Sequence, residues 1–234
     1  MPFPGGTFRR AGNGTSGVFV TGTGTDVGKT VVAAAIARTF ASEGKSVAVF
    51  KPAVTGLDDL PAADHEVLRV AARSRQSDEE IAPYRYGPPA SPHLAAAMTG
   101  KEIDPERLLG AARAAAAGAD ALVCEGVGGL LVPLTPGYLV RDFALDLGLP
   151  LAIAASPGLG TINHTLLTLE AARNAGLDVE WIVLTPWPDA PTAVEESNRE
   201  TIAALGGVRV ETLPRLDLGD PGAWPPLPAP RRQD

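Results

Sequence analysis

Cysteine is nearly missing: Cys124 is the single one in 234 residues. That excludes an internal disulfide and any metal site built from several thiolates. Cys124 ends an apolar run, Ala121–Cys124, so burial is its expected role. Basic residues are in deficit as well, with 20 Lys and Arg against 27 Asp and Glu and a formal net charge of −7. No overall cationic field exists to hold nucleic acid or an anionic membrane surface, so any phosphate site must be local. Apolar runs long enough to span a bilayer, about 18 residues, do not occur. Met1–Asn13 has no apolar stretch of the kind a secretory leader carries. The expectation is a cytoplasmic protein, with neither nucleic acid nor membrane as partner.

What is present resembles an ordinary globular chain, 45% hydrophobic and 20% charged, of a length suited to one α/β domain. Glycines loosen residues 1–16, read as a flexible N-terminal tail, and prolines crowd residues 217–234, read as a Pro-rich C-terminal tail. Residues 17–216 form the expected single domain. Within it, strand-type runs (Val18–Thr21, Ser46–Phe50, Ala121–Cys124, Leu151–Ala155, Trp181–Thr185, Val208–Thr212) alternate with helix-length segments. The helices expected are Lys29–Ser42, His65–Arg73, Pro105–Ala117, Val140–Leu147, Ile162–Asn174 and Ala193–Ala204, several of them rich in alanine. Such alternation predicts an α/β fold with a mostly parallel central sheet and helices on both faces. Ligands of such sheets sit at the carboxyl ends of the strands.

Gly22-Thr23-Gly24-Thr25-Asp26-Val27-Gly28-Lys29-Thr30 follows the first strand directly and runs into a helix. Glycines let the backbone fold around an anion so that its N–H groups face phosphate oxygens. Thr25, Asp26, Val27, Gly28, Lys29 and Thr30 are therefore the expected nucleotide-binding residues, with Lys29 as a point charge and the Thr30 hydroxyl as a Mg ligand. The spacing departs from the usual P-loop by one residue, because Thr23 stands where a glycine is expected. After the third strand, Glu125 closes a core run and precedes Gly126, Gly128 and Gly129. A carboxylate there suits Mg²⁺ beside nucleotide phosphates, and Gly128 lets a ligand approach the backbone. Asp64 stands just before a helix, either as its N-cap or as a metal ligand, with Asp58 and Asp59 competing for the latter role. The start of the helix after Ala155, Gly158-Leu159-Gly160-Thr161-Ile162-Asn163-His164, offers free N–H groups that suit a carboxylate.

Four of these loops, in order, resemble the dethiobiotin synthetase family: Thr-x-Val-Gly-Lys-Thr, then Lys51-Pro52-Ala53-Val54-Thr55-Gly56, then Glu125-Gly-x-Gly-Gly-Leu-Leu-Val, then Gly158 through Asn163-His164. The likeness runs from about Val18 to Leu216. It implies a P-loop fold and a cyclo-ligase that uses Mg²⁺ and ATP to close a cyclic urea from 7,8-diaminopelargonate and CO2 through a carbamate and a mixed anhydride. It also implies that Lys51 and Lys29 are catalytic, that Asp64 and Glu125 hold Mg²⁺ with Thr30, and that Thr55 contacts the substrate. Gly158, Gly160, Thr161, Ile162 and Asn163 would bind the diamine's tail carboxylate across a homodimer interface. Pro89-Ala90-Ser91-Pro92-His93-Leu94-Ala95 is family-like too and is expected to shape the wall of the site.

The sequence departs from the family at Gly24, where many members carry Asp, and at Thr185-Pro186, where many P-loop relatives place an Asn that reads adenine. Two rival readings meet residues that do not suit them. An amidase-type synthase needs a glutaminase with a Cys nucleophile, and Cys124 has no such setting. A switch ATPase of the MinD or ParA kind carries a lysine five positions before Lys29, where this chain has Gly24.

Overall fold

The computed structural model describes residues 16–58, 63–221, 224 and 227. The chain opens with β1 (Ser16–Gly22), α1 (Lys29–Ser42), β2 (Val47–Phe50) and α2 (Asp64–Ala72). Three further helices follow, α3 (Asp78–Ile81), α4 (Pro92–Thr99) and α5 (Pro105–Ala117), and then β3 (Ala121–Glu125). A small antiparallel pair, β4 (Pro133–Thr135) and β5 (Tyr138–Leu139), leads into α6 (Val140–Leu147) and β6 (Leu151–Ala155). The remainder is α7 (Thr161–Asn174), β7 (Val179–Trp187), α8 (Ala193–Gly206) and β8 (Arg209–Pro214). Among the described residues no helix is long and apolar enough to cross a membrane.

The main sheet has the order β2-β3-β1-β6-β7-β8, and every pairing in it is parallel. Residues of alternating parity on each strand point to opposite faces of the sheet, as the two-residue period of a strand requires. Phe19, Phe50, Leu122 and Cys124 point to one face. There Phe143 of α6 meets Phe19 edge-on at 6.0 Å and Phe50 at 6.2 Å between ring centroids. Val18, Val20, Val47, Val49, Ala121 and Val123 point to the other face, against α1.

Helix α1 is buried nearly all round, from Val32 through Ala37 and at Phe40. A helix apolar on every side needs covering on every side. The sheet covers one flank, and α2 contributes Leu68, Ala71 and Ala72 to the same core. Trp224 and Leu227 complete it, so these parts of the proline-rich end belong to the core, while residues 1–15, 222–223, 225–226 and 228–234 lie outside the described residues. Arg38 Nε donates to Pro221 O at 3.1 Å and Trp224 Nε1 to Asp217 O at 2.6 Å, fixing the approach of this segment to α1. Burial of one side chain such as Phe40 contributes about 1.5–3 kcal/mol.

The outer edge of β2 is covered. Gln76 Oε1 accepts from Val49 N at 2.9 Å while its Nε2 donates to Val49 O at 3.1 Å. Lys51 N then donates to Ile81 O at 2.8 Å, and Val54 bridges Arg85 in parallel. These contacts carry the chain from β2 through Lys51–Gly56 along a fixed course.

Candidate active site

β3 lies between β1 and β2, so the carboxyl ends of these three strands stand side by side. Their loops deliver the phosphate loop, Lys51 and Glu125 to one place, at the point where the strand order turns back on itself. Gly28 ends the phosphate loop with φ 88°. A Cβ on it would stand 2.5 Å from Thr185 Cγ2, so both backbone and space demand glycine there. Thr185, which stands at the place of a base-reading Asn, is thus buried as a brace under the phosphate loop. Asp26 also has a left-handed backbone, φ 57°. Lys29 Nζ donates to Gly24 O at 2.7 Å, within its own loop.

Lys51 is the hub of the charged groups. Its Nζ lies 2.5 Å from Glu125 Oε1 and 2.6 Å from Asp64 Oδ2. Thr30 Oγ1 lies 2.9 Å from Glu125 Oε1 and 3.0 Å from Asp64 Oδ1. A hydroxyl and an ammonium from two loops therefore join the same two carboxylates. Burial works to discharge Lys51, but Glu125 and Asp64 outweigh it and hold its pKa above the ordinary value. Burial likewise works to raise Asp64, and the Lys51 charge overcomes it and keeps the carboxyl below the usual range. Glu125 is raised by burial, against the pull of Lys51. Lys29 is lowered by burial, with Glu125 opposing.

Asp64 is not the N-cap of α2. Ala63 takes that position, and Glu66 Oε2 accepts from Ala63 N at 3.4 Å. Asp64 is freed to point at Lys51 and Thr30. Of its competitors, the Asp58 carboxylate packs against Gly87, where a Cβ would meet Oδ2 at 2.4 Å, and Asp59 lies outside the described residues.

A cleft of ≈ 710 Å³ opens over this cluster. Thr25, Asp26, Gly28, Lys29, Thr30, Lys51, Thr55, Asp64, Glu125 and Gly128 line it, together with Pro89, Ala90, Ser91 and Pro92. Val27 does not, because its side chain lies against Gly22. Gly158, Gly160, Thr161, Ile162 and Asn163 stand apart, at the carboxyl end of β6. Gly158, Gly160 and Asn163 are exposed there, while Thr161 is buried with its hydroxyl 3.3 Å from that of Thr165. Asn198 of α8 holds this turn through Nδ2, donating to Pro157 O at 2.8 Å and Gly158 O at 3.1 Å. Asn198 is a supporting residue that the sequence pattern did not single out, and Thr185, noted only as a departure at a base-reading position, supports the phosphate loop in a way the sequence did not show, since each acts from a distant element.

The donor set suits a small hard cation. Glu125 Oε2 is fully buried and has no hydrogen-bond partner, and Asp64, Glu125 and Thr30 present oxygens only. Mg²⁺ takes one or two carboxylates from a protein and completes its shell with phosphate and water oxygens.

The AAA domain family model matches residues 16–217. The ATP-dependent dethiobiotin synthetase BioD of Anaeromyxobacter dehalogenans strain 2CP-1 is 47% identical over 168 residues, 72% of this chain and 75% of the relative. The enzyme of the same name from Bacillus subtilis strain 168 is 36% identical over 195 residues, 83% of this chain and 84% of the relative. Among solved structures, the septum site-determining protein MinD of Pyrococcus horikoshii OT3, complexed with Mg-ADP, superposes with a TM-score of 0.51 at 15% identity, covering 86% of this chain and 81% of its own. Chloroplast FtsY of Physcomitrella patens gives 0.51 at 17% identity, covering 92% of this chain and 62% of its own. These two likenesses show the shared P-loop fold alone. The extent and identity of the curated matches decide the family: this chain belongs to the ATP-dependent dethiobiotin synthetases.

Proposed function

We propose that the chain catalyses ATP-dependent closure of a cyclic urea on 7,8-diaminopelargonate with CO2, giving dethiobiotin, ADP and phosphate in biotin biosynthesis. The observation that carries this reading is the contact of Lys51 with both Glu125 and Asp64, 2.5 and 2.6 Å away, in a cleft that the phosphate loop also lines. Two anions, a carbamate and a terminal phosphate, must be brought together there, and the obstacle is their mutual repulsion.

In this reading Thr25 through Thr30 hold the nucleotide, Lys29 neutralises its phosphates, and Lys51 neutralises the carbamate and the phosphoryl group that it receives. Thr55 orients the diamine. Thr30, Asp64 and Glu125 would hold Mg²⁺, which when bound would supply positive charge to offset that of the nucleotide phosphates. Carbamate oxygen attacks the γ-phosphorus, the bond to ADP breaks, and a carbamic-phosphoric anhydride forms. The second amine attacks its carbonyl carbon and phosphate leaves. Buried side chains around Glu125 and the Pro89–Pro92 wall help keep water from the anhydride.

The functional unit is a homodimer of single α/β domains in the cytoplasm. The exposed start of α7, with Gly158, Gly160, Ile162 and Asn163, serves the partner's cleft by binding the tail carboxylate, and Thr161 supports that turn from within. The test is a coupled assay of ADP release with Mg-ATP and bicarbonate, with and without the diamine, with the product weighed by mass spectrometry. Diamine-dependent ADP release and a product of dethiobiotin mass are expected; ADP release indifferent to the diamine would overturn the reading.

A further inference from the structure

Ser91 occupies the N-cap of α4 with extended backbone, φ −60° and ψ 148°, yet its side chain makes no capping bond. Serine in that position ordinarily accepts from the N–H groups of the first turn, a bond worth about 1 kcal/mol. Here the hydroxyl is turned to the ring of His93, with Oγ 3.0 Å from Nδ1. Ser91 also lines the cleft, together with Lys51 and Thr55. A residue that forgoes the local bond its position offers, at the wall of an active-site cleft, is where function outranks local stability.

The reaction needs a proton acceptor, because an amine that forms a C–N bond is left with a surplus proton. Glu125 and Asp64 are engaged by Lys51 and Thr30. Asp26 belongs to the phosphate loop itself. Among the described histidines, His65 lies toward Asp78, 3.7 Å away, and His164 stands on α7 outside the cleft. His93 is the one whose ring meets a cleft-lining side chain. With neutral His93 accepting at Nδ1, the Ser91 proton is committed to the ring and Oγ presents lone pairs to the cleft. That suits an amine donor and disfavours a phosphate oxygen.

We propose that Ser91 and His93 form the proton relay for ring closure, an inference that rests on the ligase reading above. The amine nitrogen bonds to the carbonyl carbon of the anhydride, the carbon–oxygen bond to phosphate breaks, and phosphate leaves with that electron pair. The surplus proton on nitrogen passes to Ser91 Oγ as the hydroxyl's own proton passes to His93 Nδ1. The half-buried imidazolium then returns a proton to solvent. One contact serves both states, donating from Oγ before the transfer and from Nδ1 after it.

The test compares wild type with Ser91→Ala, His93→Gln and His93→Ala in the full chain, following cyclic-urea product at saturating substrates, ADP affinity by calorimetry, and thermal unfolding. Gln keeps an acceptor for Ser91 but takes up no proton. Expected is a fall in product turnover on the order of 10²-fold in Ser91→Ala and His93→Gln, with ADP affinity and unfolding temperature unchanged, and recovery of His93→Ala by added imidazole. Product turnover in either of the first two variants within about threefold of wild type, below the range for a general base, overturns the relay. So does a loss that tracks ADP affinity or unfolding temperature, or one that imidazole leaves untouched. A wild-type enzyme inert toward the diamine would instead sink the ligase reading on which the relay rests.

Discussion

Lys51 Nζ and Glu125 Oε1 lie 2.5 Å apart, and both residues are buried, 3% and 0% exposed. Such a pair is costly to break from one side only, because the group left behind keeps its charge without a partner. Lys51→Ala is expected to lower unfolding free energy by about 3–5 kcal/mol, and Lys51→Ala with Glu125→Gln to recover part of it. A double-mutant cycle by urea unfolding measures the coupling; additive losses would show that the two do not support one another.

Lys29 and Lys51 divide their work. Lys29→Ala is expected to abolish both nucleotide affinity and turnover, since Lys29 sits in the phosphate loop. Lys51→Ala is expected to keep nucleotide affinity and lose turnover. Calorimetric titration with ADP, set against product formation, checks this, and equal loss of affinity in both variants would contradict it.

Gly28→Ala meets two obstacles, a φ of 88° and the Thr185 methyl at 2.5 Å from the new Cβ. Left-handed backbone at a residue other than glycine costs about 1–3 kcal/mol. Stability is expected to fall by that amount, with loss of ADP affinity. Adding Thr185→Ser, which removes the methyl, is expected to restore part of the stability while the backbone term persists. If the double variant is no more stable than Gly28→Ala, Thr185 is not the obstacle.

Burial, aided by Tyr84, pushes the Tyr86 phenol from an ordinary 10.0 up to about 12. Its hydroxyl donates to Lys101 O at 2.8 Å. The folded chain therefore keeps a proton that the unfolded chain has lost between those values. By linkage the stabilising contribution is complete below 10.0 and drains away as pH rises to about 12. Unfolding free energies of wild type and Tyr86→Phe, measured across that window, are expected to differ in slope, the variant being the flatter; parallel slopes would refute the shift.

Cys124 is fully buried, and burial pushes its thiol well above the usual range. Thiolate is the reactive form, so the native enzyme is expected to resist alkylation and to show its single thiol once unfolded by denaturant. Native labelling as fast as denatured labelling would contradict the placement.

The main sheet was legible in the sequence because each of its strands is a short apolar, β-rich run followed by a turn, and the helices between them carry enough alanine and periodicity to stand out. Helix α4 escaped because eight residues beginning in Pro-His give too little period to count, and the β4–β5 pair escaped because strands of three and two residues give none. In the site, Lys29 and Glu125 stood out because ligands gather at strand carboxyl ends, whereas Lys51 stood out only through its likeness to the family's second loop. Asp64 stayed open between cap and ligand, since both share the same sequence position and only the path of the preceding loop separates them. The turn of the Ser91 hydroxyl from helix to imidazole is a rotamer, and spacing carries no trace of it. Trp224 and Leu227 were hidden by the prolines around them, although large apolar residues in such a setting are themselves a sign of docking.

Gln76 spends both ends of its amide on the peptide of Val49. That side chain does for the rim of β2 what a seventh strand would do, and Ile81 and Arg85 continue the closure downstream. No unpaired backbone rung remains at Val49 to recruit a foreign strand. Self-association by extending the sheet is shut off on this flank, and the opposite rim at β8 is interrupted by Pro214 and charged by Arg209 and Glu211. The sheet is thereby left to serve as rigid floor beneath the chemistry.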